Sequence, residues 1–187
     1  MFPQVDVQIY EAMSDDLLSA LLKDEINFYI IPRDLKDLPG GLQTECIYRE
    51  NLYLIAAPGI VKEEDLADPA QNIVNDAFLK KQPFISIKKG HAIRKKTDSI
   101  FRKKKITPIV SMEVSSCISA VQLAHSGLGI TIVPSRAPEA LGGTDRFCCY
   151  QYGENPDAWD VNVVYKKDSY LDRTERSFIE LLKSVFP

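Results

Sequence analysis

The sequence predicts an α/β protein built on mixed, mostly parallel sheets, and three observations predict it. Residues 106–136 read as strand, helix, strand. Residues 5–32 repeat that order with unrelated residues. Elsewhere, short apolar runs of strand length alternate with stretches of helical periodicity.

The 106–136 unit is the clearest. Ile106 to Val114 is rich in β-branched residues, and Ser115 bounds it. Ile118, Val121, Ala124 and Leu128 then fall at helical spacing, which makes one stripe apolar. Ser115 or Ser116 is the candidate N-cap and Gly127 the candidate C-cap. Ile130 to Val133 shows almost no polar alternation, the mark of a strand buried on both faces. Such a unit sets its two strands parallel. Ligands of such sheets bind at the strands' carboxyl ends, beside helix N-termini. Here those places are Val114 to Ser116 and Pro134 to Arg136.

From the beginning, Val5, Val7 and Ile9 alternate with Asp6, Gln8 and Tyr10, a strand pattern to Glu11. Ser14 follows as an N-cap with Asp15 and Asp16 in the first turn, where the helix dipole favours acids. Leu17, Leu18, Leu21 and Leu22 form its buried stripe, and Ile26 to Ile31 is a strand stopped by Pro32. Leu35 to Gly41 is a loop. Leu42 to Tyr48 and Leu52 to Ala57 are strands around the polar Arg49-Glu50-Asn51. Lys62 to Lys81 starts acidic and turns helical through Ile73, Val74, Ala77 and Phe78. Phe84 to Ile87 is a strand, and Lys88 to His91 a turn into a helix with Ile93, Thr97, Ile100 and Phe101 inward. Pro138 to Asp145 is a loop, Phe147 to Tyr152 a strand, and Gly153 to Asp157 a turn. Trp159 to Lys166 is the last strand, with Val161, Val163 and Tyr165 on one face. Asp172 to Phe186 is a helix with Phe178, Leu181, Leu182 and Val185 in its stripe.

The 187 residues are enough for one domain or two small lobes. Apolar content of 45% and charged content of 26% are ordinary for a globular protein. A net charge of −3 gives no global attraction to nucleic acid or anionic membrane. No apolar run approaches membrane length, and no secretory signal is visible. Cys46, Cys117, Cys148 and Cys149 are too scattered for a disulfide scaffold and read as free thiols in a reducing cytoplasm. Neighbours on a strand point to opposite faces, which argues against a Cys148–Cys149 redox pair.

Taken in order and spacing, several motifs resemble the effector-binding domain of LysR-type transcriptional regulators. Phe2-Pro3-Gln4-Val5-Asp6-Val7 is similar to that family's F-P-x-V-x-[LV] strand. Leu17 to Ile26 resembles its helix-to-strand turn, with Glu25 in place of the usual glycine and Asn27 in place of the aspartate. Pro39 to Leu42 and Glu50 to Ile55 resemble the paired crossover strands. Pro83-Phe84-Ile85 and Gly127 to Pro134 resemble P-[FL]-I and G-x-G-[IL]-x-[LV]-[LV]-P. The resemblance implies a two-lobed, periplasmic-binding-protein-like (type 2) fold. Lobe I would be residues 1–49 and 160–187, and lobe II residues 50–159. It implies a cytoplasmic homodimer that binds a small effector between the lobes. The family's opening strand and helix and its winged helix-turn-helix have no counterpart here, so the chain reads as a fragment. DNA would be reached only through that absent segment, and the dimer is expected to be weakened or altered.

On that fold, lobe I offers Ser14 at a helix start and Pro32-Arg33 at a strand end. Lobe II offers Ser86, Lys88, Gly90 and His91, then Ser115 and Ser116, then Pro134. Hydroxyls and free N–H groups at helix starts suit a carboxylate or phosphate, and Arg33, Lys88 or His91 would add charge. In the family, positions matching Ser14 and lying near His91 commonly contact the effector. Plain capping also accounts for the serines, and a solvated loop accounts for Arg33 and His91.

Lys88, Lys89, Arg94, Lys95, Lys96 and Arg102 to Lys105 concentrate positive charge. A solvated helix face is the first reading, attraction of an anionic effector the second, and DNA contact the last, since no aromatics are interleaved for stacking. Nothing points to an enzyme. Cys117 and His125 lie eight residues apart, roughly 12 Å along a helix axis, too far for a nucleophile–base bond. No phosphate-binding, nucleophile-elbow or metal-ligand spacing occurs. Neither metal nor cofactor is expected. The reading is a ligand-sensing domain, and the alternative is the solute-binding protein of a transporter.

Overall fold

The computed structural model describes residues 4–32, 38–152 and 159–185. In chain order the elements are α1 (Ser14–Leu22), β1 (Tyr29–Pro32), β2 (Leu42–Glu50), β3 (Leu52–Ala56), β4 (Leu66–Asp68) and β5 (Ile73–Val74). Then come α2 (Asp76–Lys81), β6 (Pro83–Ile87), α3 (Ala92–Lys103), β7 (Ile109–Val114), α4 (Cys117–His125) and β8 (Thr131–Pro134). The last are α5 (Arg136–Glu139), β9 (Cys148–Tyr152), β10 (Trp159–Lys166) and α6 (Arg173–Val185). The chain divides into two compact units, Met1–Arg49 with Trp159–Pro187, and Glu50–Ala158.

The first unit is a three-stranded sheet in the order β1-β10-β2, with β1 antiparallel to β10. The central strand is buried on both faces. Val163 and Tyr165 pack with Ile47, Leu171 and Ile179, against α6. Val164 packs with Leu21, Tyr29 and Ile31, against α1. Placing one helix on each face removes the alternation expected of a half-exposed strand, so Asn162 is buried as well.

The second unit holds the order β4-β5-β9-β3-β8 and the pair β6-β7. A parallel bridge between Phe84 and Ile130 joins the two sets, with N–H to O distances of 2.8 Å from Ile85 to Ile130 and from Ile130 to Pro83. The sheets are mixed. Strand β6 runs parallel to β7 on one side and to the start of β8 on the other, so the two strands of the 106–136 unit are parallel with β6 between them. Gly129 allows that join: its φ is +153°, and a Cβ there would lie 2.6 Å from the Pro83 oxygen. Ile130 to Val133 are buried, as two-sided burial requires. Helix α4 ends on Gly127 at φ +84°, where N–H groups of Gly127 and Leu128 bond to Ala124 and Leu123 oxygens. Helix α3 buries Ile93, Thr97, Ile100 and Phe101, the expected set.

Several expectations fail, each for a physical reason. Residues 5–11 form no strand: Val7 and Ile9 are 58% and 85% exposed, and alternation without a hydrogen-bonding neighbour makes no sheet. The 5–32 strand–helix–strand unit is therefore absent. Ser14 is not the cap of α1; Met13 occupies that position, and no side chain caps the helix. Ile73 and Val74 are strand, because Asn75 starts the helix after them by accepting the Phe78 N–H at 2.8 Å. Leu22 and Leu128 are exposed. In α6 the fully buried residue is Ile179, while Leu181 and Val185 face outward. The Pro138–Asp145 loop begins as the end of α5 and closes with a single helical turn at Thr144–Arg146. The turn expected at Gly153–Asp157 lies outside the described residues.

Candidate functional site

Three strand ends meet along one edge of the second unit. Strand β6 leads through Lys88–Gly90 into α3, β7 leads through Ser115 into α4, and β8 leads into α5. The Lys88 N–H bonds to the Val114 oxygen at 2.9 Å, which extends the β6–β7 pairing one residue past β6. Lys88 is exposed, Gly90 turns the chain at φ +98°, and His91 caps α3 by position without a side-chain bond. Ser115 is exposed, and the Ser116 Oγ accepts the Ser119 N–H at 3.5 Å. Pro134 ends β8 opposite Leu52. Lys88, Gly90, His91, Ser115, Ser116 and Pro134 thus share one edge.

Ser86 does not join them. It is 2% exposed, and its hydroxyl donates to the Ile87 oxygen at 3.2 Å. Ser14 and Pro32 belong to the other unit, at the start of α1 and the end of β1. Arg33 lies outside the described residues.

Residues that the sequence reading passed over hold this edge in place. Arg94 is not a solvated cation. Its Nε donates to both Asp98 oxygens at 2.9 and 3.0 Å, and its Nη1 donates to the Ile87 oxygen at 3.0 Å and to Glu113 Oε1 at 2.7 Å. The Glu113 bond, then the Asp98 bonds, raise its pKa against the cost of burial. One guanidinium therefore ties the first turn of α3 to the ends of β6 and β7. Glu50, read as part of a polar connection, is 5% exposed and accepts the Arg136 N–H at 2.9 Å. That bond caps α5, and the Ser135 N–H to Asn51 oxygen bond at 2.8 Å adds a second tie. No pattern in the sequence separates this buried acid from its polar neighbours.

Burial first, and the Glu50 charge second, push the Cys117 thiol up to about 11, so it is neutral and a poor nucleophile at pH 7. His125 packs edge-on against Phe147, with ring centres 5.2 Å apart. Among the described residues, no group of three or more His, Cys, Asp or Glu is placed to hold a metal ion. Nor is any helix among them long and apolar enough to cross a membrane.

An edge where the carboxyl ends of strands meet helix starts is where α/β sheets commonly hold their ligands. The chain belongs to the LysR substrate binding domain family, whose model matches residues 1–187. Its fold is the type 2 periplasmic-binding-protein-like fold of LysR effector-binding domains. It is 22% identical over 184 residues to the HTH-type transcriptional regulator CzcR of Bacillus subtilis, covering 98% of this chain and 58% of that relative. The chain thus spans less than two thirds of that regulator's length. The CcmR regulatory domain of Synechocystis, in complex with 2-PG, superposes with a TM-score of 0.79 at 18% identity, covering 98% of this chain and 85% of that one. The effector binding domain of QuiR in complex with shikimate gives 0.70 at 14% identity, covering 93% and 78%.

Proposed function

We propose that this chain is the effector-sensing domain of a LysR-type transcriptional regulator, and that a small anionic metabolite seats against the shared ends of β6 and β7. The observation that carries this reading is the pairing of the β6 and β7 ends, Lys88 N–H to Val114 oxygen, which leaves Lys88 and Ser115 exposed where the chain enters α3 and α4. First-turn N–H groups and a lysine are a ready site for a carboxylate or phosphate. Pro134 and the start of α5 border the site. The small molecules in the CcmR and QuiR structures support a small-molecule site. The two units act as the two lobes of a periplasmic-binding-protein-like sensor, and effector binding shifts their relative orientation. The domain catalyses nothing, works in the cytoplasm as a homodimer, and meets operator DNA through a winged helix-turn-helix elsewhere in the regulator. The CzcR relative is a transcriptional regulator, which favours sensing over transport.

The test is thermal unfolding against a panel of small carboxylates, amino acids, phosphate and sulfate. A ligand at 100 times its dissociation constant adds about 2.7 kcal/mol. Ser115→Ala and Lys88→Gln alter exposed side chains, so the unliganded protein should melt as the wild type does. One chemical class should raise the melting temperature, and both substitutions should cut that shift at least in half. A panel without any shift, or a shift indifferent to both substitutions, would refute the site.

A further inference from the structure

Residues 88–105 hold nine lysines and arginines and one acid, Asp98, a net charge of +8 in a chain whose total is −3. The remaining residues therefore carry −11, and the positive charge is segregated. Three of the nine cations, Arg94, Lys95 and Lys104, have structural partners. Arg94 takes Asp98 and Glu113, and Lys104 lies 3.2 Å from Asp76 and 4.8 Å from the centre of the Tyr152 ring. Among the described residues, Lys88, Lys89, Lys96, Arg102, Lys103 and Lys105 have no ion-pair partner.

Their placement is ordered. Helix α3 buries Ile93, Thr97, Ile100 and Phe101. Lys95 and Arg102 lie opposite that face, and Lys96 and Lys103 flank them, each pair two turns or about 10 Å apart along the axis. The helix dipole accounts for cations at Arg102 and Lys103. It opposes cations at the other end, where Lys88, Lys89, Lys95 and Lys96 lie. Lys105 sits just past the helix at φ +51°, where glycine is the unstrained residue. A self-repelling array that local structure does not reward is suited to a polyanion.

We propose that the cationic side of α3 and the turn after it, through the half-buried Lys96 and the exposed Arg102, Lys103 and Lys105, binds the phosphate backbone of duplex DNA without regard to sequence. The array has no interleaved aromatics, so it suits phosphates rather than unstacked bases. Naming duplex DNA as the polyanion rests on the transcriptional-regulator reading above; the charge geometry does not. In the assembled regulator this contact would add to those of the DNA-binding segment and hold the sensor against flanking DNA.

The test uses this chain and a labelled 30-base-pair duplex of arbitrary sequence, followed by fluorescence anisotropy in about 25–200 mM NaCl. Four neutralised phosphates give a slope of log affinity against log salt near −4. The variant K96Q/R102Q/K103Q/K105Q should flatten that slope by about 3.6 and weaken binding at least tenfold at low salt. Arginine at the three lysine positions should restore both, which separates charge from misfolding, and melting curves check the fold of each variant. No binding at low salt, an unchanged slope in the glutamine variant, or tighter binding to phosphatidylglycerol vesicles than to duplex would overturn the proposal. The ligand-induced melting shift is read separately, so either proposal can fail while the other stands.

Discussion

Glu45 carries the heaviest local electrostatic load in the first unit. It accepts the Tyr165 hydroxyl at 2.6 Å and Lys183 Nζ at 2.9 Å, and it pairs with Arg176. The Tyr165 bond first, then Lys183, hold its carboxyl down to about 2 from 4.5, against the opposing effect of burial. A depressed carboxyl pKa stabilises the fold above the unfolded value of 4.5, and that contribution is lost as pH falls toward 2. Glu45→Gln should therefore cost about 2 kcal/mol at pH 7, discounted for the partial exposure of its partners. The gap between variant and wild type should close toward pH 2. Urea denaturation at pH 7 and near pH 2.5 measures both ends, and a gap independent of pH would show that the ion cluster is not its source.

Among the elements, α2 and residues 5–11 show opposite relations between pattern and outcome. Helix α2 has only six residues and depends on its cap. The Asn75 side chain accepts the Phe78 N–H and donates to the Glu64 oxygen at 3.1 Å, which joins the helix start to the preceding turn. Asn75→Ala should cost about 2 kcal/mol, the upper end of the capping range, because both bonds go. Equilibrium denaturation would detect this, and a cost below a few tenths would mean that packing of Phe78 and Leu79 alone holds α2. Residues 5–11 have the alternating pattern of a strand but, among the described residues, no strand beside them, and Val5, Val7, Ile9 and Tyr10 stay exposed. Period-2 alternation specifies which side chains share a face; it does not supply the neighbour that completes the ladder.

At the scale of the molecule, each unit has its own core. Ile179 is fully buried between α6 and β10 in the first. Ile179→Ala should cost about 2–5 kcal/mol. Hydrogen exchange should show the loss of protection first in β10, β2 and α6. Equal loss throughout β3, β8 and β9 would show instead that the two units unfold as one. The uneven charge of the molecule belongs to this scale as well. A net charge of −3 argues against polyanion binding only when it is spread evenly, and here one eighteen-residue segment has the opposite sign.

The α/β class, the 106–136 strand–helix–strand unit, the inward face of α3, the bounds of β10, and the serines and lysine at the strand ends are all legible in the order of residues. These follow from periodicity, capping and turn residues, which act over a few neighbours in the chain. Which strands find partners, which apolar stripes are covered and which polar groups are buried depend on the folded chain. Arg94 looked like one cation among nine until Ile87, Asp98 and Glu113 closed around it. Glu50 looked like loop until the N–H of Arg136, eighty-six residues away, met it. Ser86 had the right spacing for a ligand contact, yet its hydroxyl faces its own backbone. Burial and pairing of polar groups depend on segments far apart in sequence, and no local pattern encodes which of them will meet.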